Sequence, residues 1–407
     1  MGRGDLADIP HPVRQGDQEY VQFWQRSAIA RRDREVDFLP QRVAPRHQFD
    51  PACPQEAFRA RGERTGTGTG ERGLHAVIMR PQRQHMGAMK AVTITEPGGP
   101  EVLEWAEVDD PVPADGEVVV DVVASALNRA DVMQRMGLYP VPPGAPPYPG
   151  LEVSGRVSAL GGGVSGWQVG DEVCALLTGG GYAEKVAVPA GQLLTVPRGV
   201  DLVEAAALPE AVATVWSNLV LTADLKDGDA FLVHGGTGGV GTTAIQVAKA
   251  LGARVITTVG GPEKAARTRE LGADVTVDYR TQGFAEHGPY DVILDVVGGG
   301  YLERNVRSLA TDGRLVVIGL QDGLEGTLNL AELVFKRASV HGTTLRSQSP
   351  EQKAAIVADV QDKVWPMIEN GSVQMVLDRT VPMAEAGAAH RLMETSRHMG
   401  KILLVTG

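Results

Sequence analysis

A chain of 407 residues, 43% hydrophobic and 22% charged with a net charge of −11, is long enough for two or three domains of roughly 150 residues. No apolar run reaches the ~20 residues that a membrane span needs; the longest, 205–221, is interrupted by Pro209 and Glu210. Two cysteines, Cys53 and Cys174, cannot build a disulfide framework or a thiolate zinc knuckle, and an acidic balance without clustered Lys argues against nucleic acid as the main partner. A reducing cytoplasm is the expected compartment.

Residues 1–85 carry 14 Arg, no Lys and 11 Asp or Glu, a balance of +3 that leaves −14 for the remaining 322 residues. The segment has no sustained period of 2 or 3.6 and contains the run Thr65-Gly66-Thr67-Gly68-Thr69-Gly70. It is expected to be a disordered extension over 1–88, with Met86 or Met89 as the functional start or, alternatively, the extension as a regulatory tail. Its acids set it apart from a transit peptide.

From Met89, short apolar runs alternate with Gly and Pro turns at 90–95, 117–126, 153–160, 172–177 and 182–188, which predicts an all-β, barrel-like unit. Strand-like runs at 231–234, 254–258, 275–277, 292–296, 315–318 and 340–344 then alternate with helical stretches, the pattern of a doubly wound parallel sheet. The remainder is expected to form a helix over 351–368 and strands at 375–378 and 401–405 that fold back onto the β-rich unit.

The first strand of the parallel series runs into Gly235-Gly236-Thr237-Gly238-Gly239-Val240-Gly241 and a helix over 242–251. Gly236, Gly238 and Gly241 match G-x-G-x-x-G: the first Gly permits the turn, the second admits a pyrophosphate, and the third lets helix and strand pack closely. Gly239 and Val240 belong to the same turn. The next strand ends Val259-Gly260-Gly261-Pro262-Glu263-Lys264, without the acid that would bind a ribose 2′-hydroxyl. Lys264, with Tyr279 and Arg280 after the third strand, offers cations and a ring, so NADP(H) is expected over NAD(H). The alternative is that Lys264 and Arg280 are solvated surface charges.

Together with Glu96-Pro97-Gly98-Gly99-Pro100, Ala126-Leu127-Asn128-Arg129-Ala130-Asp131, Pro149-Gly150-Leu151-Glu152, Val169-Gly170-Asp171-Glu172-Val173, Leu345-Arg346-Ser347 and Gly400-Lys401-Ile402, the chain from Met89 onward resembles the medium-chain dehydrogenase/reductase superfamily. Within it, the similarity is to the zinc-free quinone oxidoreductase branch that includes zeta-crystallin-like proteins. The resemblance implies an α/β fold: a Rossmann doubly wound sheet over 210–344 and a GroES-like β-barrel catalytic domain from 89–209 and 345–407. Zinc members carry Cys near Asn128, His at Leu151 and a four-cysteine lobe, none of which this chain has. The resemblance places Asn128 and Tyr139 beside the nicotinamide and puts Thr214 and Arg346 on the cofactor. Asn128 is equally a helix N-cap with Asp131 three residues on, and Arg346 equally a surface ion-pair partner. It also implies a homodimer joined along the edge of the Rossmann sheet.

The activity expected is hydride transfer from NADPH to a quinone without zinc. An enone or alkenal reductase on the same site is one alternative; a low-turnover NADPH-binding structural or RNA-associated protein is another.

Overall fold

A computed structural model describes residues 87–407. Cys53 and the expected extension lie outside the described residues, except for Gly87 and Ala88, the latter already opening the first strand.

The β-rich unit starts as a hairpin of β1 (Ala88–Ile94) and β2 (Leu103–Asp109), paired along their whole length. It continues through β3 (Glu117–Ala126), β4 (Glu152–Leu160), β5 (Glu172–Leu176), β6 (Lys185–Pro189) and β7 (Leu193–Thr195). The two strands with no counterpart in the sequence pattern have simple causes. β2 reads Leu-Glu-Trp-Ala-Glu-Val-Asp, with three acids that weaken β-propensity, and β7 has three residues. Val118, Val120 and Val122 of β3 point inward at the strand period and pack with Val153, Val157, Val186 and Ile402. Each such burial contributes about 1.5–3 kcal/mol.

The parallel series is β8 (Ala230–Val233), β9 (Arg254–Val259), β10 (Val275–Asp278), β11 (Tyr290–Asp295), β12 (Leu309–Val317) and β13 (Ser339–Gly342). They lie in the order β10-β9-β8-β11-β12-β13. Both faces are covered. Phe231, Val233, Val255 and Leu294 pack with Ile245 and Val247 of the helix Gly239–Ala250, while Leu232, Ile256 and Ile293 pack with Phe284 and Val306. The order reverses between β8 and β11, which opens a crevice at the carboxyl ends of those strands.

The expected helix over 351–368 is two helices, Pro350–Lys363 and Trp365–Glu369, divided at Val364. Pro366 has no N–H to continue the first helix and stands in the first turn of the second, where none is needed. Ser349 and Gln352 close a capping box at the start. The second-last strand, β14 (Leu377–Pro382), begins two residues later than the pattern suggested and pairs in parallel with β15 (Lys401–Val405). β15 in turn pairs with residues 124–126 of β3, whose first half takes β6 along the same edge. The C-terminal segment therefore does complete the β-rich unit.

Candidate active site

The turn between β8 and the helix Gly239–Ala250 owes its shape to missing side chains. A Cβ on Gly236 would lie 2.0 Å from Thr257 Oγ1, and one on Gly241 would lie 2.2 Å from the Gly235 carbonyl oxygen. Gly238, the N-cap, is different: a Cβ there would meet only the Gly235 oxygen, at 3.9 Å, so its backbone faces open space. No side chain caps this helix, whose positive dipole end faces the cleft, where it favours an anion.

The turn forms one side of a cleft of about 440 Å³. Of the residues expected to bind cofactor, Gly238, Gly239, Val240, Gly241, Lys264 and Tyr279 line it, as does Asn128. Gly236 packs behind the turn. Arg280 lies beside Tyr279, 5.9 Å from its ring centroid, and a Cβ on Gly260 would come within 2.9 Å of the Tyr279 hydroxyl and 3.2 Å of an Arg280 nitrogen. The bare Gly260 thus lets ring and guanidinium close over the end of β9. Lys264 donates to the Ser396 carbonyl at 2.6 Å; burial and the neighbouring Arg280 hold its pKa below the ordinary lysine value. Glu263 is exposed and is not among the lining residues. Asp322, the carboxylate that does line the cleft, follows β12 on the far side of β8 from β9.

Arg129 and His398 line the cleft as well, the latter a residue that the sequence suggests is packing or surface. Burial lowers the pKa of both, and the Nδ1 of His398 is buried without a hydrogen-bond partner. A glycine cradle at a helix N-terminus, cations beside an acid-free strand end and an unsatisfied ring nitrogen together fit a phosphorylated dinucleotide.

The opposite side of the cleft is held by side chains. Lys401 Nζ donates to Glu152 Oε1 at 2.5 Å and to Asn128 Oδ1 at 2.7 Å. Asn128 Nδ2 donates to the same Glu152 oxygen at 2.9 Å and to the Ala126 carbonyl at 3.2 Å. Both amide hydrogens of Asn128 are therefore used inside the protein. Its N-cap position is also real, since Asp131 accepts the Asn128 backbone N–H at 2.8 Å. Burial pushes the Asp131 carboxyl up to about 6 against its hydrogen bonds from the Asn128 and Gly150 backbones. The second Glu152 oxygen takes the Glu210 backbone N–H. Glu210 itself is pushed up to about 8, by burial and then by the nearby Glu152. In the sequence, Glu152 and Lys401 stand out only as residues that carry the resemblance. The signal available was a charged residue set in each of two apolar runs, Leu151-Glu152-Val153 and Lys401-Ile402-Leu403.

Tyr139, Thr214 and Arg346 are not among the residues lining this cleft. They belong to an adjoining network. The Thr214 carbonyl accepts from Asn218, which accepts the Thr343 hydroxyl; Thr344 lies 3.4 Å from the Tyr139 hydroxyl, and the Arg346 guanidinium sits 5.0 Å from the Tyr139 ring centre. Arg346 is buried and donates to the Thr178 carbonyl and Gln134 Oε1, while Lys353 donates to the Thr178 hydroxyl. Residues 298–300 serve the backbone: a Cβ on Gly299 would fall 2.0 Å from the Glu325 carbonyl oxygen.

Among the described residues no group of three His, Cys, Asp or Glu is placed to hold a metal ion. Cys174 is buried, which raises its thiol pKa.

Residues 114–198 match the family model of the alcohol dehydrogenase GroES-like domain, and 239–360 match that of zinc-binding dehydrogenases. The chain is 34% identical over 329 residues to a quinone oxidoreductase of Pseudomonas aeruginosa, covering 78% of this chain and 99% of the relative. It is 35% identical over 328 residues to a mycocerosic acid synthase-like polyketide synthase of Mycobacterium tuberculosis, of whose length it spans 16%. Among solved structures, Escherichia coli quinone oxidoreductase complexed with NADPH is similar with a TM-score of 0.69 at 30% identity, covering 78% of this chain and all of that one. An NAD-dependent alcohol dehydrogenase has the same score at 33% identity, with the same coverage. The Rossmann sheet with its glycine turn, the GroES-like unit and these similarities identify the chain as an oxidoreductase belonging to the zinc-free quinone oxidoreductase branch of the medium-chain dehydrogenase/reductase superfamily.

Proposed function

We propose that the protein is an NADPH-dependent oxidoreductase that passes hydride to a quinone. The observation that carries the reading is the cleft at the glycine turn, whose β9 end has no lining acid but has Lys264, with Arg280 near it. The NADPH named with the Escherichia coli neighbour agrees with it. The helix N-terminus at Gly238 would hold the pyrophosphate, and Lys264 with Arg280 the 2′-phosphate. When bound, the nicotinamide supplies a hydride at its C4.

The acceptor side follows from the residues present. A quinone is already electron-poor, so its reduction needs no Lewis acid, and zinc-independent turnover is part of the proposal. Asn128, with its amide hydrogens spent, fixes the wall without donating to the acceptor. The reduced acceptor takes its proton from water, and the Tyr139 ring is assigned to stacking. A conjugated enone or alkenal would be served by the same cleft and is the second reading. We also assign a cytoplasmic homodimer, supported by the sheet edge at β13 and the neighbouring helix Leu330–Lys336, where Phe335 is 83% exposed.

NADPH oxidation with a panel of benzoquinones, naphthoquinones and conjugated enones tests the reading, before and after prolonged chelation. Quinone turnover that survives chelation is expected. Turnover of enones alone favours the second reading, and tight NADPH binding without turnover favours a low-turnover binding protein. Loss of activity on chelation overturns zinc independence.

A further inference from the structure

The segment from Gly400 to Lys401 touches both sides of the cleft. On the phosphate side, the Gly400 N–H donates to the Thr237 carbonyl at 2.7 Å, and Gly400 forms a bridge with Gly238. The Lys401 stem lies against Gly239 so closely that a Cβ there would sit 2.3 Å from Lys401 Cδ. On the other side, the Lys401 ammonium ends on Asn128 and on Glu152, which is fully buried. A buried ammonium–carboxylate pair is costly to desolvate and is weak evidence for added stability. What this one does is join the turn to Asn128 through a single side chain.

We propose that Lys401 is a positioning residue that sets the distance between the phosphate-binding turn and the Asn128 wall, and so the approach of hydride donor and acceptor. The inference rests on the NADPH–quinone reading. A misplacement of about 1 Å at such a site costs on the order of 10²-fold in rate. An ordinary structural ion pair would instead lower stability and leave the ratio of kcat to cofactor affinity alone.

The test is Lys401→Met, which keeps bulk against Gly239 and removes the donors. The expected result is a kcat at least about tenfold lower, with the Kd for NADPH changed by less than about threefold. The isotope effect with NADPH deuterated at C4 rises, because hydride transfer becomes slower. Lys401→Arg recovers part of the rate. Asn128→Ala causes a similar loss, and the double variant is no worse than either single one. The fluorescence of bound NADPH, which needs no turnover, changes in Lys401→Met and Asn128→Ala alike. That arm separates the two claims: a parent without quinone turnover defeats the functional reading, whereas unchanged fluorescence defeats this one. Should Lys401→Met not fold, Gly239→Ala presses on the same stem and is expected to lower kcat. Unchanged kcat, or losses that multiply in the double variant, overturns the proposal.

Discussion

The two sides of the cleft reach their shape by opposite means. On the Rossmann side, seven consecutive residues suffice, and the decisive atoms are absent ones: Cβ atoms at Gly236 and Gly241 that would strike Thr257 and the Gly235 carbonyl. On the barrel side, Asn128 and Glu152, 24 residues apart, meet Lys401, 273 and 249 residues further along, through hydrogen bonds between 2.5 and 2.9 Å. A backbone-built surface is complete once its strand and helix are packed. One built from side chains depends on three segments arriving together, and it brings buried charges whose ionisation matters.

The contrast is broken most easily at Gly241. Its methyl in Gly241→Ala would lie 2.2 Å and 2.7 Å from backbone atoms of Gly235 and Gly236, which cannot swing aside. NADPH affinity is expected to fall about 100-fold, ~2.7 kcal/mol, by fluorescence titration with an unchanged circular-dichroism spectrum. A loss below tenfold would show that the turn yields. Lys264→Ala tests one of the two cations, with Arg280, proposed to hold the 2′-phosphate. It should weaken NADPH about tenfold, ~1.4 kcal/mol, and leave NADH unchanged.

Glu210 sharpens the other half of the comparison. Its carboxyl titrates near 8 in the folded protein against an ordinary 4.5, so the folded form keeps a proton that the unfolded chain releases. Between those values folding stability falls as pH rises. Glu210→Gln removes that slope: relative to its effect near pH 5, the substitution should gain about 3 kcal/mol near pH 8 in urea unfolding. An equal effect at both pH values would contradict the buried-carboxyl description. The smallest change is expected at Tyr139, where Tyr139→Phe shifts kcat by less than about twofold while Tyr139→Ala raises the KM for quinone. A large loss in the Phe variant would assign the hydroxyl a role in the reaction.

The same contrast explains what could be read from the sequence. The glycine turn, the strands at 117–126 and 401–405 and the return of the C-terminal segment to the β-rich unit are all visible, because each rests on local spacing or short apolar runs. The hairpin strand β2 is masked by Glu104, Glu107 and Asp109, which suit its half-exposed position. The helix break at Val364 required giving Pro366 more weight than the apolar period around it. The Asn128–Glu152–Lys401 group has no local signature: Lys and Glu ordinarily mark solvated surface, and only the fold brings these two into one buried site. Thr214, Arg346 and Tyr139 lie outside the lining in one connected network, a relation no spacing rule encodes.

β15 has a consequence for synthesis. The strand lies between β14 and β3, and the Thr406 hydroxyl bonds the Val122 carbonyl across 284 residues. All six strands of the parallel sheet precede it in the chain, and each pairs with partners within that series. A nascent chain can therefore pack its nucleotide-binding half while the barrel still shows an open edge along residues 124–126 of β3. Until residues 401–405 emerge, Glu152 lacks the ammonium it pairs with in the finished fold. The step that adds residues 401–405 to the β-rich sheet is thus also the step that brings Lys401 to Asn128 and Glu152.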